Sequence, residues 1–313
     1  MVSTIWLCPG QGAQKVGMGK DLAERFPAAR AVFDAIDAAL EAPLSRIMFE
    51  GPEDELTATQ NAQPAILAHT TAVFAIVGEK VAGTVTAAAG HSLGEYSAYV
   101  TANALDAPDA AKLVRRRGEL MKKAGEERPG TMAAVLGLPT KDVEAACQEA
   151  SQQASLAVAA NINAPDQTVI SGDPDAVTRA GQACKDRGAK RVIALNVSGA
   201  FHSPLMGPAQ NHLQLALERA PFRDPAFPVV ANATAEAVKE AGRARRLLSD
   251  QLTAPVRWVA CMEHIARIGG ESPRFVEIGP GAVLAGLLKR IVPGANVVSL
   301  GTVDDVTKFM NAA

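Results

Sequence analysis

Gly90-His91-Ser92-Leu93-Gly94 decides the reading of this chain, because of what stands on either side of it. The run Thr84 to Ala89 before it is short and free of charge, which predicts a buried strand, and Glu95 onward predicts a helix. A G-x-S-x-G pentapeptide set between strand and helix is a nucleophile elbow, a turn tight enough to lift a serine hydroxyl clear of the backbone. The helix start behind it offers free N–H groups and a partial positive charge where an oxyanion would form. As a bare pattern the pentapeptide is also an ordinary glycine-rich turn, and only the strand–turn–helix context makes Ser92 a candidate nucleophile for acyl chemistry.

Outward from the elbow, Thr4 to Cys8 reads as a buried strand ending in Pro9-Gly10-Gln11-Gly12, with helices from there to about Val81. A helix from Pro108 to about Lys123 follows the elbow helix, and Glu126-Glu127-Arg128-Pro129-Gly130 reads as a linker. The rhythm then changes to strand Thr131–Leu136, helix Thr140–Gln152, strand Leu156–Ile162, strand Gln167–Ser171, helix Asp173–Arg187 and strand Arg191–Val197. That β-α-β-β-α-β order is the split βαβ pattern of a ferredoxin-like unit. The larger pattern resumes with a helix from Ser203, a strand near Pro228 to Ala231, helices around Ala244 and Trp258, strand Arg274–Ile278, a helix from Val283 and a last strand Asn296–Leu300. The expected fold class is α/β: a mainly parallel sheet with a small domain inserted. Its expected bounds are 1–126 and 199–313 for the catalytic core and 127–198 for the insert.

With 313 residues, 48% hydrophobic, a sizeable core is available, and a net charge of −2 gives no global basic field for nucleic acid. Cys8, Cys147, Cys184 and Cys261 lie far apart with no CxxC pair, so neither a zinc site nor a disulfide framework is expected, and no metal or cofactor. The first residues lack the basic start and long apolar core of a signal peptide, and the longest apolar stretch, Ala62 to Val77, is interrupted by Gln63, His69 and two threonines. A soluble cytoplasmic protein is the expectation.

A serine nucleophile needs a base, and five histidines are present. His91 adjoins Ser92 on a sharp turn, where neighbouring side chains diverge, so it is a candidate for lining the pocket. His69 sits in an apolar helix as a satisfied core histidine, and His212 and His264 lie in amphipathic helices. His202 follows a strand and Ser198-Gly199-Ala200 and precedes Ser203-Pro204, a serine N-cap with proline at the first helical position. It is thereby held on a loop at a strand end, and is the candidate base. In the helix around Leu113 the apolar face carries Ala110, Leu113, Val114, Gly118 and Met121, and the same spacing turns Arg117 inward while Arg115 and Arg116 point away. An inward arginine needs an anion, supplied either by an Asp or Glu of the protein or by a carboxylate on the substrate. Gly10-Gln11-Gly12 fails as a nucleotide loop, since Lys15 and Met18 stand where glycine and lysine would be needed; one of its N–H groups is a candidate second oxyanion donor.

Together these residues resemble the malonyl-CoA:acyl carrier protein transacylase family of type II fatty acid synthesis. The resemblance runs from Pro9-Gly10-Gln11-Gly12-Ala13-Gln14 through Gly90-His91-Ser92-Leu93-Gly94-Glu95-Tyr96, Arg117-Gly118 and Asn161-Ile162-Asn163-Ala164-Pro165-Asp166-Gln167 with Ile170-Ser171-Gly172. It continues through Gly199-Ala200-Phe201-His202-Ser203-Pro204-Leu205-Met206, Gln251-Leu252-Thr253-Ala254-Pro255-Val256-Arg257-Trp258 and Glu277-Ile278-Gly279-Pro280-Gly281. It implies an α/β-hydrolase-like core with a ferredoxin-like insert. It further implies Ser92 as nucleophile, His202 as base, the N–H groups of Gln11 and Leu93 as oxyanion hole and Arg117 on the malonyl carboxylate. The main-chain carbonyl of Gln251 would orient the histidine in place of an acidic residue, and Phe201 matches the malonyl-selective form of its motif. Asn161 and His91 are expected in the pocket. The implied activity is ping-pong malonyl transfer from malonyl-CoA, a substrate and not a cofactor, to the phosphopantetheine thiol of acyl carrier protein, by a monomer. The alternative is a serine esterase or thioesterase with the same elbow; a non-catalytic carrier-protein docking module is a third reading. Asn232-Ala233-Thr234-Ala235 and the proline-free stretch Ala235 to Gly242 depart from the family pattern, and are expected to affect loop shape outside the site. Basic clusters at Arg115, Arg116, Lys122 and Lys123, at Lys185, Arg187, Lys190 and Arg191, and at Lys289-Arg290 are either docking surfaces for an acidic carrier or solvated faces.

Overall fold

The computed structural model describes residues 2–312, and its chemistry is organised by two sheets. The strands are β1 (Thr4–Cys8), β2 (Val85–Gly90), β3 (Thr131–Leu136), β4 (Ala157–Ala164), β5 (Gln167–Gly172), β6 (Arg191–Ala194), β7 (Val229–Val230), β8 (Ala237–Val238), β9 (Arg274–Ile278) and β10 (Asn296–Leu300). The larger sheet has the order β10-β9-β1-β2-β7-β8 and is parallel except for the β7–β8 hairpin. Strand β1 is buried along its whole length, and its alternate side chains enter two separate cores. Trp6 and Cys8 pack with Leu67, Phe33 and Leu22 on one face, while Ile5 and Leu7 pack with Trp258, Phe275 and Leu288 on the other. Two covered faces explain why β1 and the alanine-rich β2 read as continuous apolar runs without alternation. The smaller sheet, β4-β5-β3-β6, is antiparallel, and the helices Thr140–Ala150 and Pro174–Asp186 cover one face, their Val143 and Val177 joining Val135 and Ile170 of the sheet in one core.

The two sheets are stitched together beside the site. Main-chain bonds from Ile162 N–H to the Val256 carbonyl (2.9 Å) and from Val256 N–H to the Ala160 carbonyl (2.8 Å) join β4 to the segment after Gln251. The larger sheet's strand order reverses at β1, which has β2 on one side and β9 on the other. The crevice beyond the carboxyl ends of strands at such a switch point is where open α/β sheets bind ligands.

Several elements differ from expectation. The helix Ala107–Glu127 runs through Glu126 and Glu127, which read as linker; Lys122–Glu126 and Lys123–Glu127 pairs one turn apart support its last turns. Strand β6 stops at Ala194, three residues before the expected Val197. After Ser203 comes a 3₁₀ turn, Pro204–Met206, before the helix Gly207–Arg219. A terminal helix, Val303–Asn311, was not anticipated, although Thr302 and Asp305 form a reciprocal capping box at its start. The segment Thr59–Thr84, which holds the apolar stretch Ala62 to Val77 and the 23-residue helix Thr59–Val81, is long and apolar enough to cross a membrane by length and composition alone. It is the central core helix: Gln63, His69, Thr70 and Thr71 are buried along with its apolar residues, and it packs against its neighbours Pro27–Leu40 and Ala107–Glu127. All four cysteines are buried and unpaired.

Candidate active site

The site forms where β1 and β2 end. Strand β2 runs into Gly90, the chain reverses through Ser92, and the helix Gly94–Thr101 leaves at once. Both glycines of the pentapeptide are required by contact. A Cβ on Gly90 would lie 1.9 Å from the Gly94 carbonyl oxygen, and one on Gly94 would lie 2.1 Å from the Cys8 carbonyl oxygen at the end of β1. Ser92 itself adopts φ 52°, the left-handed region that a side-chain-bearing residue occupies only when its surroundings enforce it.

That enforcement comes from Asn232, just after β7. Its Oδ1 accepts the Ser92 N–H at 2.7 Å and its Nδ2 donates to the Gly90 carbonyl at 2.8 Å. Asn232 is fully buried, so the run Asn232-Ala235, expected to lie outside the site, contributes one residue to its scaffold. Its remaining residues are half-buried or exposed.

His202 meets the serine. Its Nε2 lies 2.8 Å from Ser92 Oγ, and its Nδ1–H donates to the Gln251 carbonyl at 2.9 Å. That second bond fixes the tautomer: with Nδ1 carrying the hydrogen, Nε2 is left to accept from the serine hydroxyl. His202 also has positive φ, 56°, and is locked by the next residue, whose Oγ donates to the Ala200 carbonyl at 2.6 Å and accepts from Leu205 N–H. Burial and then the Arg117 guanidinium depress the imidazole from its usual range to about 3, holding it neutral.

Arg117 is 1% exposed. Its Nη1 donates to Gln63 Oε1 (2.7 Å), and its Nη2 donates both to Ser92 Oγ (3.0 Å) and to Gln251 Oε1 (3.0 Å). Among the described residues no carboxylate lies within ion-pair distance of it, and its Nε has no partner. A structural salt bridge therefore does not explain its inward direction. Arg115 and Arg116 do point away, the former to Asn61 Oδ1 and the latter to Glu119.

The other expected residues gather around the same cleft, about 390 Å³, lined by Gln11, His91, Ser92, Asn161, Phe201 and His202 among others. His91 Nε2 is 2.7 Å from Asn163 Oδ1, with its ring against Trp258. The Asn161 Oδ1 is buried without a partner, an acceptor available to a ligand. Gly10 passes so close to the His91 carbonyl that a Cβ there would meet it at 2.5 Å, which brings the Gln11 loop against the elbow. Neither the Gln11 nor the Leu93 main-chain N–H donates to another described residue. His69 lies away from this cleft, buried as expected, and its Nδ1 has no partner among the described residues. Burial holds it neutral, at about 4.

Four polar residues behind the site escaped the sequence reading: Gln63, Asn163, Glu95 and Asn232. Glu95 stood in view, one residue past the elbow, but nothing in its position shows that a helix-start acid will be fully buried. Of the basic clusters, Lys122, Lys123 and Arg116 are paired along their own helix, Arg187 with Glu149 and Arg290 with Asp166.

The family model described as acyl transferase domain matches residues 5–311. The chain is 43% identical over 292 residues to a malonyl CoA-acyl carrier protein transacylase of Bacillus subtilis, covering 93% of this chain and 91% of the relative. It is 40% identical to the Escherichia coli protein of the same description, with 93% and 94% covered. An acyl carrier protein S-malonyltransferase from Vibrio cholerae superposes with TM-score 0.93 at 38% identity, over 98% of this chain and 99% of that one. A malonyl-transacylase solved in complex with its type II PKS acyl-carrier protein superposes at TM-score 0.92 and 39% identity, covering 98% of each chain.

Proposed function

Since the chain belongs to the acyl transferase domain family, we propose that it transfers a malonyl group from malonyl-CoA to the phosphopantetheine thiol of acyl carrier protein. The observation that carries the choice of acyl group is Arg117: a buried guanidinium with only neutral acceptors, one of them the nucleophile's own oxygen. A substrate carboxylate supplies the missing anion in bidentate form.

His202 Nε2 takes the Ser92 proton as Oγ attacks the thioester carbonyl, and the negative charge moves to the carbonyl oxygen. The N–H groups of Gln11 and Leu93 receive that oxyanion, supported by the start of the helix Gly94–Thr101. Collapse breaks the C–S bond, His202 hands its proton to the departing CoA sulfur, and malonyl-Ser92 remains. The carrier-protein thiol then gives its proton to His202 and attacks the ester, and the proton returns to Ser92 as the malonyl thioester leaves. The Gln251 carbonyl stabilises the imidazolium in each half-reaction, in the place an acidic third member occupies elsewhere. A carboxylate on Arg117 also draws its donors from Ser92 Oγ and offsets the cationic field on His202, so an acyl group lacking one leaves both the nucleophile and its base less reactive.

The test is intact-mass detection of the acyl-enzyme with malonyl-CoA or acetyl-CoA. Arg117→Ala is expected to depress malonyl loading selectively, by at least about 10²-fold, because the site then loses a charged hydrogen-bonding partner for the substrate. Equal falls for both acyl groups would refute the clamp. The same measurement addresses the esterase reading: a malonyl-serine that persists until carrier protein is added is a transfer intermediate, whereas steady CoA release without carrier protein is hydrolysis.

The finer architectural reading is an α/β-hydrolase-like core at 1–126 and 199–313 and a ferredoxin-like insert at 127–198. The strand order β4-β5-β3-β6 with its two helices on one face supports it. We infer a monomeric cytoplasmic enzyme, consistent with four buried free thiols; sedimentation tests the monomer. The cluster Lys185, Lys190 and Arg191 is the one to reverse in a carrier-protein docking test: it adjoins edge strand β6, whose continuation Leu195–Val197 lines the cleft.

A further inference from the structure

Glu95 is fully buried on the first turn of the helix Gly94–Thr101, and the transfer reaction leaves it without a role. Its Oε2 accepts from the Asn232 main-chain N–H at 2.9 Å and from Gln251 Nε2 at 2.8 Å, while its Oε1 has no partner among the described residues. One oxygen thus does all the accepting, and an amide in that place could do the same. Hydrogen bonding leaves the charge unexplained. Arg117 presents the reverse case, a buried cation whose acceptors are all neutral. The Gln251 amide lies between the two with its dipole aligned, NH₂ toward the acid and oxygen toward the guanidinium.

We propose that Glu95 is the resident counter-charge of Arg117, acting through the Gln251 amide, and that it limits how tightly Arg117 holds a substrate carboxylate. The proposal rests on the malonyl reading of Arg117. In the empty site the acid keeps the buried guanidinium balanced and Gln251 pointed the right way, so that the main-chain carbonyl of the same residue stays on His202. When a malonyl carboxylate arrives, two anions share one cation and Glu95 opposes the newcomer. Glu95 is therefore a positioning residue, and its protonation relieves the opposition. Burial lifts its carboxyl to about 7, in spite of the bonds from Asn232 and Gln251 and the nearby Arg117 charge. Burial also moves the other titratable groups around it, and away from neutral pH for the hydroxyl, thiol and imidazole groups: it raises Tyr96 and Tyr99 on its own helix and Cys261 on the helix Trp258–Gly269, and lowers His202 and His91, as it lowers the Arg117 guanidinium.

The test compares Glu95→Gln with the parent, both carrying Ser92→Ala so that binding is measured without acyl transfer. Calorimetric Kd values for malonyl-CoA are divided by those for acetyl-CoA, which has the same CoA phosphates and no terminal carboxylate. With the charges roughly 8–11 Å apart and an effective dielectric of about 20–80, one charge changes the malonyl affinity about two- to thirtyfold. Glu95→Gln is expected to bind malonyl-CoA tighter by that factor relative to acetyl-CoA at about pH 8, where the parent acid is ionised. The parent's malonyl-to-acetyl Kd ratio is expected to rise as pH increases through 7, and that of Glu95→Gln to stay level. Equal ratios in the two proteins at about pH 8, or weaker malonyl binding in Glu95→Gln, would overturn the proposal. Should Glu95→Gln fail to fold, the parent decides alone: a ratio flat from about pH 5.5 to about pH 8.5 overturns it and a rise supports it. Arg117→Ala separates the two levels, since failure of the malonyl reading shows there as equal loss for both acyl groups.

Discussion

Replacing Asn232 with alanine removes one side chain that serves both sides of the serine turn. The variant leaves the Ser92 N–H and the Gly90 carbonyl without their partners at 2.7 and 2.8 Å, the first half-buried at the cleft and the second fully buried. Each buried group stranded in this way costs about 1–3 kcal/mol, so a loss of about 2–6 kcal/mol is expected. Unfolding entropy of about 2.1 cal/mol/K per residue over the 313 residues converts that to a fall in melting temperature of about 3–9 °C. The larger consequence is for chemistry. Ser92 sits at φ 52°, strain worth about 1–3 kcal/mol that the Asn232 bonds hold in place. Released toward negative φ, the turn carries Oγ off the 2.8 Å contact with His202, and a displacement of about 1 Å costs about 10²-fold in rate. The assay pairs thermal melting with rapid-quench intact-mass measurement of malonyl-serine formation. Asn232→Asp, which keeps the acceptor for Ser92 and loses the donor to Gly90, is expected between the two. An alanine variant that melts with the parent and acylates at the parent rate would refute the reasoning. One that only loses stability would show that the turn holds its shape without Asn232.

Two further outcomes follow from the same geometry. The reactive form of His202 is the neutral base, and its depression to about 3 means that the neutral form survives as pH falls. Acylation by an uncharged activated acetyl ester should stay level from about pH 7 to about pH 5 and decline only below, with Arg117→Ala moving that acid limb upward; a parent limb centred on the ordinary histidine value contradicts the assignment. Gly94→Ala places a Cβ 2.1 Å from the Cys8 carbonyl oxygen, a main-chain atom of a central strand that cannot move aside. It should cost more than about 4 kcal/mol or abolish folding, and a soluble variant with parental melting and acylation would contradict that.

Much of this molecule is legible in its sequence because the signals are local. Thr131–Leu136, Arg274–Ile278 and Asn296–Leu300 coincide with strands to the residue, since each is a short segment centred on apolar residues between turn-formers, and Ser203-Pro204 announces the lock on His202. Arg117 was readable from helix periodicity alone. Where the reading stopped, at Glu126-Glu127 or the terminal helix, the deciding terms were ion pairs one turn apart and a two-residue capping box, small enough for composition to mask them.

The polar scaffold was hidden for a different reason. Gln251 carries one main-chain and two side-chain functions at once: its carbonyl takes His202 Nδ1–H, its Oε1 takes Arg117, and its Nε2 donates to Glu95 and to the Ser92 carbonyl. The resemblance implied the carbonyl's part, but no pattern around Gln251 encodes the side-chain bonds, because the partners come from three other segments, the elbow, the Arg117 helix and the His202 loop, that only the fold brings together. Gln63, Asn232 and Glu95 are equally ordinary helix or loop residues until burial removes water as their alternative partner, and then each must be satisfied by another. A site built this way exposes its chemistry in sequence through Ser92, His202 and Arg117, whose residue types are unusual for their places. It conceals the support of that chemistry in the side chains of Gln251 and Glu95, whose types are not.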